Sequence, residues 1–271
     1  MSQADAATIA GLVAPLLREP SSSAIFSDLD GTLAPIVADP ASASVPAETI
    51  EVLEALAERY PLVACVTGRR ALEARAMVGL DTIVYAGNHG LELLEPRAAE
   101  PRPAPALGDG GDKARAFIAG LDGAALAADG LRLEDKGPIQ AVHWRGAEDT
   151  SRARGAAERI AGAGEAVGLT PRWGRQVLEL RPAVPVDKGS AVRDLVVEHG
   201  VELALFGGDD LTDVDAFDAL ADMVSAGTLR AGVRVGVDSP EAPPGIGERS
   251  DAVVDGPAGF LDVLRLLAGG G

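Results

Sequence analysis

Four stretches of this chain are short, apolar and abruptly ended. Ala24–Phe26 runs into "SDLDGT", "LVACV" into "TGR", "TIVYAG" into "NHG", and "LALF" into "GGDD". A strand apolar on both faces must be covered on both faces. Between these runs lie stretches with helical spacing: Ile50, Leu53 and Leu56 after Pro46, then "ALEARAMVGL", and later "VDKGSAVRDLVVEHG" with an aspartate at its start. Buried strands alternating with amphipathic helices predict an α/β fold, a parallel sheet with helices on both sides. "VRVGV" and "AVV" add short strands and "GFLDVLRLLA" a closing helix. Ile9, Leu12, Val13, Leu16 and Leu17 form a helical stripe that predicts an N-terminal docking helix. "MSQAD" carries no positive charge, so no cleaved signal peptide is expected.

The pattern breaks at Pro96, Pro101, Pro103 and Pro105, which predict an extended linker. Beyond it come a helix over about Asp112–Ala128, strands at "LRLEDKG" and "IQAVHWRG", a helix over about Ser151–Val167, and a strand at "RQVLELRP". These strands alternate apolar with polar residues, as in a half-exposed antiparallel sheet. The expectation is a catalytic core of residues 1–107 and 186–271, with a smaller α+β module, 108–185, inserted into it. The linker and "RPAVPVD" would hinge the two.

Lys and Arg number 24 against 41 Asp and Glu, a formal charge of −17. So acidic a surface argues against nucleic-acid or anionic-membrane partners. The single cysteine, Cys65, permits no intrachain disulfide. That fits a reducing, cytoplasmic setting, and a monomer is expected.

Ligands of parallel α/β sheets bind at the carboxyl ends of the strands. Three such ends carry polar clusters. In "SDLDGT", Asp28 and Asp30 are two apart and project together on an extended segment. Two facing carboxylates repel unless a cation lies between them or one is protonated. Asp209, Asp210, Asp213 and Asp215 follow Phe206; hard oxygen ligands of this kind suit Mg²⁺. Asp213 and Asp215 alone are equally explained as acidic first-turn residues at a helix N-terminus. Thr67, Gly68 and Arg69 supply a hydroxyl, close backbone access and a cation, as a phosphoryl group requires, and Lys188 adds a point charge.

"DLDGTL", "TGR", Lys188 and "GDDLTD" occur in the order of the four motifs of haloacid-dehalogenase-type phosphatases, and the chain resembles that superfamily. The insert falls between the second and third motifs, where the superfamily places its larger (C2) type of cap. "GNHGLE", "EDKG", "HWR" and "LELRP" resemble, more narrowly, the trehalose-6-phosphate phosphatase family. Leu29, Thr67 and Trp144 stand where that family often has Tyr, Ser and Tyr.

The resemblance implies an Mg²⁺-dependent sugar-phosphate phosphatase. Asp28 would be nucleophile and Asp30 the acid and base. The Asp28 carboxylate, the Asp30 carbonyl and Asp209 would hold the metal, with Asp210 and Asp213 behind them. Gly31, Thr67, Gly68, Arg69 and Lys188 would bind the phosphoryl group. Asn88 and His89 would lie near the substrate, and Glu134, Lys136 and Glu179 would contact the sugar. His143, Arg145 and Arg181 alternate with these on the strands and join the expected sugar face. The alternatives are another substrate, sucrose phosphate or mannosyl-3-phosphoglycerate, and a non-catalytic sugar-phosphate sensor. A phosphomutase fits poorly, because the interval between the first two motifs is too short for its cap.

Overall fold

The computed structural model describes residues 4–37, 42–239, 242 and 245–269; Met1–Gln3 of "MSQAD" lie outside them. Two compact units are present, Met1–Arg102 with Val186–Gly271, and Pro103–Pro185. The chain leaves the larger unit at Arg102, ahead of the expected boundary after Leu107.

The first part of the larger unit contains α1 (Ala6–Arg18), β1 (Ser23–Ser27), α2 (Ala47–Arg59), β2 (Leu62–Val66), α3 (Ala71–Val78), β3 (Val84–Gly87), β4 (Glu92–Leu94) and, at its exit, β5 (Arg102–Pro103). The smaller unit contains α4 (Gly110–Ala119), α5 (Gly123–Ala128), β6 (Arg132–Lys136), β7 (Ile139–His143), α6 (Thr150–Ala166), β8 (Leu169–Gly174) and β9 (Val177–Pro182). The chain then returns through α7 (Lys188–His199), β10 (Leu203–Gly208), α8 (Asp213–Ser225), β11 (Ala231–Asp238), α9 (Ile246–Arg249), β12 (Ala252–Asp255) and α10 (Gly256–Ala268).

The described strands of the larger unit form one sheet in the order β12-β11-β10-β1-β2-β3-β4-β5. It is parallel from β12 to β3, and β4 runs antiparallel to β3. The chain leaves β1 toward β2 on one side, while β10 to β12 extend the sheet on the other. The junction of β1 and β10 is therefore a topological switch point. Ser27 pairs with Gly207 on one flank and Cys65 on the other, so the three strands end level.

Alternate residues feed two cores. Ile25, Cys65 and Leu205 pack with Val13, Leu16, Leu53, Leu56 and Leu264 of α1, α2 and α10. Phe26, Ala64 and Phe206 pack on the other face with Val192, Leu195, Phe217 and Leu220 of α7 and α8. Each fully buried side chain of this kind contributes about 1.5–3 kcal/mol. The resulting rigidity holds the strand ends in place.

The smaller unit is a four-stranded antiparallel sheet, β6-β7-β9-β8. Leu178, Leu180 and Val142 pack against α4 and α6, where small residues, Ala153, Ala157, Ala161 and Gly164, allow close approach.

Several expectations need correction. The continuous helix over Asp112–Ala128 is two helices, because the Asp122 carboxylate accepts hydrogen bonds from the N–H groups of Ala124 and Ala125 and starts α5 anew. The proline-rich linker carries the edge strand β5, a position where proline costs no ladder bond. The strand β8 was not anticipated; Pro171 argues against a central strand, and β8 is an edge. Nor was β4, three residues directly after a tight turn. Among the described residues, no helix is long and apolar enough to cross a membrane.

Candidate active site

The level strand ends bring Asp28, Thr67 and Asp209 to one edge. Asp28 continues β1, its N–H donating to the Gly207 carbonyl at 2.8 Å. Asp209 follows β10 directly, and Thr67 follows β2 with its N–H on the Ala86 carbonyl. All three are buried.

Lys188 is the first residue of α7, which Asp187 starts through a reciprocal capping box with Ser190. A cation at a helix N-terminus is opposed by the helix dipole. Carboxylates offset it here: Lys188 Nζ lies 2.7 Å from Asp213 Oδ1, 2.9 Å from Asp28 Oδ1 and 3.8 Å from Asp210 Oδ1. Burial works against the ammonium, but Asp213, Asp28 and Asp210 outweigh it and hold its pKa above the ordinary value. Lys188 is only 1% exposed.

The Asp213 carboxylate also accepts from the N–H groups of Asp209 (2.8 Å) and Asp210 (2.9 Å). Placement against the helix dipole therefore does not account for Asp213; it ties the strand end to Lys188. Asp215, by contrast, is exposed in the first turn of α8. Asp210 accepts from both the N–H and the hydroxyl of Thr212, each at 2.7 Å. Burial raises the Asp210 pKa, but Lys188 and Thr212 outweigh that and hold it low.

Asp209 is gripped from both sides. Its Oδ1 accepts from Thr32 Oγ1 at 3.0 Å and its Oδ2 from Ser239 Oγ at 2.6 Å. Burial pushes its pKa up to about 6. Burial likewise pushes Asp28 up to about 7, with Lys188 pulling the other way. Carboxylate oxygens of Asp28, Asp209 and Asp213 lie within 4.8 Å of one another. Among the described residues, Lys188 alone makes ion pairs with Asp28, Asp210 and Asp213, and no cation lies within ion-pair distance of Asp209. Four carboxylates against one ammonium leave an excess negative charge that suits a divalent cation.

Asp30 stands apart from this cluster. Both its oxygens accept from the guanidinium of Arg69, Nε to Oδ2 and Nη2 to Oδ1, each at 2.6 Å. The "GNHG" turn braces the "TGR" loop: the N–H of Asn88 donates to the Arg69 carbonyl and that of His89 to the Thr67 carbonyl. The His89 ring lies over Gly68. Asn88, expected near the substrate, is fully buried, and its side chain hydrogen-bonds Glu92.

The smaller unit carries its own polar face. The register sets Ala141 opposite both Glu134 and Glu179, so Glu134, Lys136, His143, Glu179 and Arg181 share the side of the sheet away from its helices. Glu179 accepts from Lys136 at 3.1 Å and from Arg181 Nη2 at 2.6 Å. Burial raises Glu179, but Arg181 and Lys136 outweigh it and keep the carboxyl below its usual range. Glu134 and His143 Nε2 lie 2.6 Å apart. Arg145 is not on this face: β7 ends at His143, and Arg145 is exposed in the following turn. Trp144 is buried in the unit's core, edge-on to Trp173.

Residues 26–241 match the trehalose-phosphatase family model. The chain belongs to this family. It is 38% identical over 214 residues to a Mycobacterium tuberculosis protein described as an uncharacterized glycosyl hydrolase, covering 73% of this chain and 15% of that one. It is 36% identical over 210 residues to the trehalose-phosphate phosphatase of Mycobacterium marinum, covering 73% of this chain and 51% of the relative. The chain thus spans about half the length of that phosphatase. The C-terminal domain of C. albicans trehalose-6-phosphate phosphatase superposes with a TM-score of 0.69 over 96% of each chain at 22% identity, which shows a shared fold. A haloacid dehalogenase-like hydrolase from Bacteroides thetaiotaomicron also superposes, with a TM-score of 0.65 over 91% of this chain and 99% of that one at 12% identity.

Thr32 and Ser239, whose hydroxyls donate to Asp209, are members of the cluster that the sequence pattern does not single out. Thr32 lies inside "DLDGTL", and Ser239 follows β11, a fourth strand end to which the same edge rule applied. Gly31 has φ +84°, and a Cβ there would overlap the Asp209 carboxylate. Gly31→Ala is expected to displace Asp209 and lower the melting temperature by several degrees, for about 1–3 kcal/mol of backbone strain and overlap. Thermal unfolding checks this; an unchanged melting temperature would refute the packing argument.

Proposed function

We propose that this chain is a metal-dependent phosphatase that releases phosphate from trehalose 6-phosphate. The observation that carries the reading is the buried Lys188–Asp28 pair beside Asp209 at the switch point of the sheet. On this reading Asp28 is the nucleophile, Lys188 the phosphate-binding cation and Asp209 a metal-ligating carboxylate.

The Asp28 carboxylate attacks phosphorus, forming a Cγ–O–P ester as the bond from phosphorus to the sugar oxygen breaks. Asp30 gives its proton to the departing oxygen. It then takes a proton from water as that water attacks phosphorus, freeing phosphate and restoring the Asp28 carboxylate. Lys188 and the Thr67 hydroxyl stabilise the charge on the transferring group. Asp213 and Asp210 hold Lys188 in place. The Asp28 and Asp209 carboxylates, with the Asp30 carbonyl, would hold Mg²⁺. When bound, the ion offsets repulsion between the anionic nucleophile and the anionic ester.

Glu134, Lys136, His143, Glu179 and Arg181 offer carboxylates and cations that grip sugar hydroxyls by charged hydrogen bonds. The family match supports trehalose 6-phosphate over the other sugar phosphates. Phosphate release from trehalose 6-phosphate, beside sucrose 6-phosphate and mannosyl-3-phosphoglycerate, tests the substrate. A kcat/KM higher for either competitor would displace trehalose 6-phosphate. Glu179→Ala is expected to raise KM for trehalose 6-phosphate about tenfold, for roughly 1.4 kcal/mol of lost binding.

Protons compete with the metal. With Asp28 raised to about 7 and Asp209 to about 6, both must lose protons for the ion to bind. The apparent Kd for Mg²⁺ is therefore expected to fall about tenfold or more between roughly pH 5.5 and pH 8. Calorimetric titration of the protein with Mg²⁺ measures this; a pH-independent Kd would contradict it.

A further inference from the structure

The Arg69 guanidinium, expected on the phosphoryl group, is engaged elsewhere. Its fork meets both oxygens of Asp30 with two parallel 2.6 Å hydrogen bonds. The backbone behind it is pinned at three points. The Arg69 N–H donates to Thr67 Oγ1 at 3.2 Å, its carbonyl accepts from Asn88 at 2.7 Å, and the Thr67 carbonyl accepts from His89 at 2.8 Å. Asn88 and His89 both have left-handed backbones, φ 51° and 57°, which non-glycine residues rarely adopt. Such conformations persist where surrounding structure over-determines them, and they cluster at functional sites.

We propose that Arg69 is a positioning residue for Asp30, fixing its carboxyl group for proton transfer, and not a ligand of the phosphate. This rests on the reading of Asp30 as acid and base. Asp30 is the least enclosed of the expected catalytic carboxylates, its side chain 39% exposed. Free of a partner, it would sample several rotamers. A carboxylate has about four lone-pair sites, and a bidentate guanidinium takes two. One site remains on each oxygen for the proton that passes to the sugar oxygen or from water. To reach the phosphate instead, Arg69 would surrender both short bonds and leave Asp30 unpaired beside an anionic substrate. Lysine cannot replace the fork, since it is a point charge.

The test separates leaving groups. A sugar oxygen needs a proton as it departs, whereas p-nitrophenolate leaves as a stable anion. Wild type, Asp30→Asn, Arg69→Ala, Arg69→Lys and the Asp30→Asn/Arg69→Ala double variant are assayed with trehalose 6-phosphate and p-nitrophenyl phosphate. Arg69→Ala is expected to lower kcat for trehalose 6-phosphate about 10²-fold with KM within about threefold, and to lower kcat for the aryl ester at least tenfold less. Arg69→Lys follows the same pattern. The double variant is no slower than Asp30→Asn alone, as expected of residues acting as a unit. Melting temperatures establish that each variant is folded; if Arg69→Ala is not, the Arg69→Lys pattern decides.

Equal losses on both substrates, a tenfold rise in KM rescued by lysine, or a double variant slower than Asp30→Asn would make Arg69 a phosphate ligand and overturn the proposal. If Asp30→Asn itself lowers both substrates equally, the acid–base reading of Asp30 fails, and the proposal with it. If Asp30→Asn discriminates and neither Arg69 variant does, the role of Arg69 alone fails.

Discussion

Asp28→Asn is expected to abolish turnover, by about 10⁴-fold or more, while leaving the protein folded. Asparagine fills the same volume but has no carboxylate to attack phosphorus. The fold tolerates the change because burial already works against the Asp28 charge, pushing its pKa up to about 7. Lys188 also has a second buried partner, Asp213 at 2.7 Å, which the substitution does not touch. Phosphate release and thermal unfolding measured on one preparation check both halves. Residual activity above about 1% of wild type would remove Asp28 as the nucleophile, since a lost nucleophile costs far more than 10²-fold.

Lys188→Met is expected to cost both activity and stability. Methionine approximates the lysine stem without its charge. Asp213 and Asp28 are then left buried with no ammonium between them, and breaking such a pair costs about 3–5 kcal/mol. The stability of the variant acquires a pH dependence whose sign follows from burial. Without Lys188, the desolvation that raises Asp28 and Asp213 is unopposed by the cation. The folded state then holds more protons than the unfolded state above the ordinary carboxylate range. Stability falls as pH rises through that window, because it falls wherever the native state binds more protons. Urea unfolding at several pH values measures it. A variant as stable as wild type at neutral pH would mean the carboxylates are compensated without Lys188. Adding Asp213→Asn to Lys188→Met should recover part of the loss by removing one uncompensated charge.

The α/β core was legible because buried parallel strands have no alternative to continuous apolar runs, and those runs mark their own ends. Asp28, Thr67, Lys188 and Asp209 were legible for the same reason: each lies next to a strand end or helix start that local pattern already marks. Elements whose stability comes from neighbours were less visible. Strand β8 contains Pro171 and survives as an edge, β4 is three residues long, and the break between α4 and α5 depends on one aspartate capping two amides.

Roles that need a distance were not legible at all. "TGR" offers a cation suited to phosphate, yet the fold spends that cation on Asp30. The resemblance sets "GNHG" near the substrate, yet the Asn88 side chain is buried and its N–H braces the Arg69 carbonyl. Ser239 carries no motif, but its hydroxyl meets Asp209 from the end of a different strand.

By itself, then, the amino-acid order determined the layered α/β class, the change of pattern in the middle of the chain, and the placing of Asp28, Thr67 and Asp209 at strand ends. These follow from periodicity and local end signals, which act over a few residues. Only the tertiary structure decided which carboxylate meets which cation. Those pairings join residues far apart in the chain, such as Asp30 with Arg69 and Lys188 with Asp213. Strand register and strand order set them, to within the few tenths of an ångström on which a hydrogen bond depends.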